Sequence, residues 1–305
     1  MVFGLRLRFS QSGRGPFGRG IVAVSARRAA LLPRPRDFTR LPQSVPGAGV
    51  FWKRQGALRS VLWNGAALLQ AEGGDALRID TLRSADGVEP AIMNLGLALL
   101  LSERGHQILH AGGLARGGAF AAILGPPGAG KSSLVLAGAR RGMQVVSDEI
   151  IPFRMRGRSF LCPGGNPVVR VDARLSPRGR RERTRAHPAA AQGDKVAIDV
   201  RRLGWLYTEG SSRLALLVFL GRRLGRSAPR FRLEKLSPAE ALVGLLDNTF
   251  NRRVLTAAET RRHLRLCGSV VKHLPAYRLR VRRGMSNVAA AARGVDQLLA
   301  RRRAT

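Results

Sequence analysis

The chain has 305 residues, 45% of them apolar, which allows a sizeable core in one large domain or two modest ones and argues against general disorder. No stretch approaches the roughly 18 consecutive apolar residues of a membrane span. The two cysteines, Cys162 and Cys267, lack CxxC spacing, so no zinc site or disulfide framework is expected and a reducing cytoplasm is the default location.

Charge is the unusual global property: 53 lysines and arginines against 19 acids, net +34, with only five lysines. Such a surplus suits a surface for nucleic acid or another polyanion. It equally suits a coding bias towards arginine and alanine. The arginines are spread along the chain without the aromatic interleaving or helix-turn-helix pattern that base recognition needs.

Taken in order, residues 1–36 carry eight arginines and no acid, a composition like that of a mitochondrial presequence. The alternation Leu5-Arg6-Leu7-Arg8-Phe9 reads instead as a short strand, and no amphipathic helix is evident. Residues 1–20 are expected to be a flexible basic N-terminus. From 21 to 89, short apolar segments broken by proline and glycine predict a β-rich region. A third part, 90–285, opens with a helix at Pro90–Arg104, ended by Gly105. Strand, loop, helix and strand follow, with Phe120–Leu124 and Met143–Val146 as strands and Ser132–Arg141 as the helix of one βαβ unit. Residues 174–188 are basic and poor in apolar side chains, as in an exposed, mobile loop. Leu214–Leu220 suits a central strand. Ser237 with Glu240, and Thr256 with Glu259, are capping boxes that start helices. A last helix and basic tail occupy 286–305. The pattern is that of an α/β protein.

Gly125-Pro126-Pro127-Gly128-Ala129-Gly130-Lys131-Ser132-Ser133 matches G-x-x-x-x-G-K-[ST] between a strand and a helix. Gly128 and Gly130 let successive N–H groups turn into one concavity. The helix start adds unsatisfied amides and a positive dipole end. Lys131 then reaches the β- and γ-phosphates of ATP, and the Ser132 hydroxyl is placed for Mg²⁺. The next strand ends in Asp148-Glu149, where a metal-binding or hydroxyl-orienting carboxylate is needed.

His110 stands 21 residues before Lys131, and the acid pair 17 and 18 residues after it. With those spacings, the run from Leu109 to Glu149 resembles the HPr kinase/phosphorylase family, in particular its bacterial HPr kinase-related branch. Lys235–Asn251 and Pro275–Leu279 are also similar to that branch, so the resemblance spans about residues 90–300. It implies a phosphoenolpyruvate carboxykinase-like mixed sheet flanked by helices. It also implies an ATP-dependent kinase acting on a serine hydroxyl of a protein or peptide, and assembly into homo-oligomers of unstated number. Carried over, Glu149 is the general base, Asp148 helps hold the metal, and His110 orients the acid and phosphate. A glutamate stands where the founding enzymes have aspartate, which leaves the base open between Asp148 and Glu149. The founding family's downstream metal-binding glutamate and arginine loop lack counterparts. Lys195 sits in a Gly-Asp-Lys turn that either meets phosphate or is simply solvated. A P-loop ATPase acting on nucleic acid and a non-catalytic nucleotide-binding regulator are the alternatives.

Overall fold

The computed structural model describes residues 6–10, 21–34, 37–41, 50–63, 67–82, 90–172, 195–250, 252 and 255–302. The basic loop expected at 174–188 lies outside them. The chain forms two compact units, Met1–Ile108 with Asn251–Leu255, and Leu109–Phe250 with Thr256–Thr305.

The first unit is a seven-stranded sheet in the order β1-β2-β7-β6-β5-β4-β3. Its strands are β1 (Arg6–Ser10), β2 (Ile21–Arg28), β3 (Thr39–Leu41), β4 (Val50–Gln55), β5 (Leu58–Trp63), β6 (Ala67–Glu72) and β7 (Ala76–Thr81). The N-terminal stretch expected to be flexible thus contains a strand, paired in parallel with β2. Strands β3 to β7 form an antiparallel meander. Helix α1 (Pro90–Glu103) lies on β6 and β7. At Gly96 a Cβ would stand 2.8 Å from Leu77, so the helix comes nearer the sheet than a side chain would allow. Arg59 pairs with Glu103 in the interior. The sequence places this helix with the following α/β part; burial of Leu97, Leu100 and Leu101 and the fit at Gly96 place it with the β-rich part instead. Strand β8 (Gln107–Leu109) carries the chain onward.

The second unit is mixed α/β. Its sheet runs β11 (Gln144–Ser147), β9 (Ala111–Arg116), β10 (Ala119–Leu124), β16 (Ser212–Leu220), β13 (Ser159–Cys162), β12 (Ile151–Arg156). The far half of β16 also pairs in parallel with β18 (Ala276–Val281), which takes β17 (Phe231–Lys235) on its other side. The pair β14 (Val168–Asp172) and β15 (Lys195–Asp199) is separate, followed by a short 3-10 turn at Val200–Leu203. Helix α2 (Lys131–Ala139) packs on β9, β11 and β14 and against α5 (Met285–Arg301). Helices α3 (Pro238–Asp247) and α4 (Ala257–His273) pack together, and both begin with the capping boxes expected from sequence. Both cysteines are buried, and burial pushes each thiol up to about 12, in keeping with their reading as small apolar groups.

The βαβ unit is present but split. Strands β10 and β11 are joined by α2, yet they are not neighbours: β9 lies between them, antiparallel to both. The strand is thin because of Gly112 and Gly113. A Cβ at Gly112 would meet Val135 of α2 at 2.7 Å, and one at Gly113 would meet Val146 at 2.8 Å on the other side.

Candidate functional site

Because β9 runs against its neighbours, it starts where they end. Its register pairs Ala111 with Leu124 and Gly113 with Ser147. His110 before β9, the loop after β10 and the acids after β11 therefore share one edge of the sheet. Residues 38 positions apart in the chain, His110 and Asp148, are brought to it by the pairing of β9 with β11. Ala111 N–H, for instance, donates to the Glu149 carbonyl at 3.2 Å.

The loop has the conformation its glycines allow. Gly128 and Gly130 have φ of 78° and 105°, which residues with a Cβ adopt only under strain. No atom lies within 4 Å of where a Cβ at either would stand, so the space above them is open. Pro126, Pro127 and Gly128 are exposed at the crown, Gly125 is buried at the base, and Ala129, Gly130, Ser132 and Ser133 are half-buried. No side chain caps α2, and its first helical bond runs from Leu134 N–H to the Gly130 carbonyl at 3.0 Å. The unsatisfied amides at the start of α2 could thus seat an anion. Lys131, 7% exposed, bends back so that Nζ donates to the Gly125 carbonyl at 2.6 Å and the Pro126 carbonyl at 3.4 Å. Its charge sits inside the loop.

The two acids are held differently. Asp148 is 3% exposed, and its Oδ2 accepts from the Arg170 backbone N–H at 2.8 Å. The Glu149 side chain is 24% exposed, and its Oε1 accepts from Arg170 Nη1 at 3.1 Å. One residue of β14 therefore touches both carboxylates, with its main chain on one and its guanidinium on the other. Asn166 brings β14 into place: its N–H donates to the Val146 carbonyl at 2.7 Å, and its Oδ1 accepts from Val168 N–H at 3.1 Å.

His110 is placed by the turn after α3. Its N–H donates to the Asn248 carbonyl at 2.8 Å, and its ring stacks on Phe250 with centroids 6.5 Å apart. The Asn248 side chain accepts from Gly125 N–H at 2.9 Å. Arg170, Asn248 and Phe250 carry no sequence signal of their own, since each acts through a tertiary contact. Lys195 opens β15, the partner strand of β14.

An anion seated over Gly128 and Gly130 would be met by main-chain amides, an ammonium and a hydroxyl, with a carboxylate pair on the same sheet edge. Among the described residues no three His, Cys, Asp or Glu side chains converge on a point. A divalent ion there would draw on ligand phosphate oxygens and water besides Ser132 and one acid, which is the habit of Mg²⁺. Among the described residues no helix is long and apolar enough to cross a membrane.

No family model matches this chain, and neither does any curated protein. Among solved structures, the Hpr(Ser) kinase/phosphatase from Coxiella burnetii is similar at a TM-score of 0.35 and 17% identity, over 63% of this chain and 90% of that one. That likeness is distant, and the chemistry rests on the residues themselves.

Proposed function

We propose that this protein is a magnesium- and ATP-dependent phosphotransferase that moves the γ-phosphoryl group to a hydroxyl, with a serine of a protein or peptide as the acceptor that the family resemblance implies. The observation that carries the reading is the meeting, at one sheet edge, of an open amide-lined loop and an acid pair held by Arg170.

In this reading the amides from Gly128 to Ser133 bind the β- and γ-phosphates, and Lys131 leaves the loop carbonyls for phosphate oxygens. Ser132 and Asp148 hold the metal or its waters, which supplies neutralisation of the charge on the transferring group. Asp148 is enclosed and has one oxygen committed to a backbone amide, which suits a fixed ligand. Glu149 is the more open acid, which suits a base that must meet an incoming hydroxyl. Arg170 holds that carboxylate in place through its guanidinium, and His110 orients it against the phosphate. Catalysis is then mostly positioning and charge compensation.

The test is calorimetry of the full chain with ATP, with and without magnesium, followed by γ-labelled ATP and fractionated lysate to find the labelled acceptor. Failure to take up nucleotide in a magnesium-dependent way sinks the proposal.

A further inference from the structure

The turn after α3 joins the two halves of the edge, and its centre is Asn248. This residue ends α3 with φ −98° and ψ 14°. Its Nδ2 donates to the Gly244 carbonyl at 2.8 Å while its Oδ1 accepts from Gly125 N–H at 2.9 Å. Only the orientation with oxygen towards the loop gives both ends of the carboxamide a complementary partner. Its main-chain carbonyl accepts from His110 N–H at 2.8 Å. The position is not free to drift. A Cβ at Gly244 would stand 2.5 Å from the Phe219 ring, so α3 is pressed onto β16, and Phe219 is the register partner of Leu124, the residue before Gly125. On the other side, Thr249 Oγ1 donates to the Leu245 carbonyl at 3.2 Å and shares a hydrogen bond with His263 Nε2 at 2.5 Å, which ties the turn to α4.

We propose that Asn248 is a positioning residue for the phosphate-binding loop: its carboxamide fixes the direction in which the chain leaves β10, while its backbone fixes His110 at a set place beside that loop. Gly125 has φ 148°, and its N–H points out of the sheet ladder at the first residue of the loop. Without an acceptor there, that buried donor is unsatisfied in the binding conformation, and the chain turns to find water or a carbonyl. The loop is then pre-shaped in only a fraction of molecules, and affinity falls by that fraction.

This rests on the nucleotide reading, and the experiment separates the two. Full-length Asn248→Ala and Asn248→Asp proteins are compared with the unaltered chain by residue-resolved amide exchange and by calorimetry with magnesium-ATP. Asp keeps an acceptor for Gly125 N–H but adds a negative charge beside the anion seat. For the Ala variant the expected result is loss of protection at Gly125, intact protection along β16, and nucleotide affinity weaker by about ten- to hundredfold. The Asp variant regains protection at Gly125 but still binds nucleotide weakly. Unchanged exchange at Gly125 in the Ala variant overturns the proposal, as does wild-type affinity once protection there is gone. Should the Ala variant fail to fold, loss of Gly125 protection in a folded Asp variant overturns it too. Protection that follows the acceptor in a protein that never binds nucleotide supports the latch and removes the function proposed above.

Discussion

Gly138 tests whether the close seating of α2 on β9 matters. A Cβ there would stand 2.3, 2.8 and 3.1 Å from three atoms of Leu114, a side chain with 0% exposure. Leu114 is flanked in register by Ala121 and Val145 and has no solvent side into which to swing. Replacing glycine inside a helix by alanine returns about 1 kcal/mol of helix propensity, and by valine about half of that. Against this stands overpacking, typically about 1–3 kcal/mol. Ala is therefore expected to come out near neutral to modestly destabilising, and Val at about 2–3 kcal/mol destabilising, since its extra methyls enter the same filled space. Two units need not unfold together, so the readout must follow the second alone. Of the three tryptophans only Trp205 belongs to it, and in a Trp52→Phe, Trp63→Phe background its fluorescence reports that unit. With a urea slope of about 2–3 kcal/mol per molar, Gly138→Val should lower the midpoint by roughly 1 M at unchanged slope. A Val variant unfolding at the parental midpoint would refute the packing argument.

Further outcomes follow from the site. Lys131→Ala should weaken nucleotide binding by about ten- to hundredfold in calorimetry, the loss of a charge-assisted bond to phosphate. Glu149→Gln should bind magnesium-ATP as before yet give no transfer to the labelled acceptor; normal transfer would reject Glu149 as the base. Arg170→Met retains the backbone bond to Asp148 but removes the guanidinium bond to Glu149, so kcat should fall about tenfold or more with little change in nucleotide affinity. Burial pushes His263 down to about 4 from an ordinary 6.5, so its unfolded form binds the proton more readily. Its share of stability is whole above about pH 6.5 and is lost as pH falls towards 4, of order 3 kcal/mol; Tm measured across that window should fall less steeply in His263→Gln.

The glycine spacing of the loop, its flanking strand and helix, and both capping boxes could be read from the chain because each is a local pattern. Ser237 and Thr256 each bond a residue three positions on, and Gly128 and Gly130 announce their φ by lacking a Cβ. What escaped was long-range. Ala111-Gly112-Gly113 has neither the β-branched content nor the alternation of a strand, so its insertion between β10 and β11 was hidden. Arg170 lies in an ordinary alternating strand, and Asn248 at an ordinary helix end. Their importance comes from what the fold carries them to. Chain order alone groups helix α1 with the part that follows it, whereas packing at Gly96 decides its unit.

The strand between loop strand and acid strand also acts as a fixed gauge. It is laddered to both neighbours, so the strand that leads into the loop and the strand that leads into the acids are held two strand spacings apart, about 10 Å. Widening it means peeling a ladder whose residues Ala111, Leu114 and Ala115 are fully enclosed. In the proposed phosphotransferase, adjustment to an acceptor would then come from side-chain reach and from the loop crown, and a glutamate's extra methylene is the kind of correction such a rigid span permits.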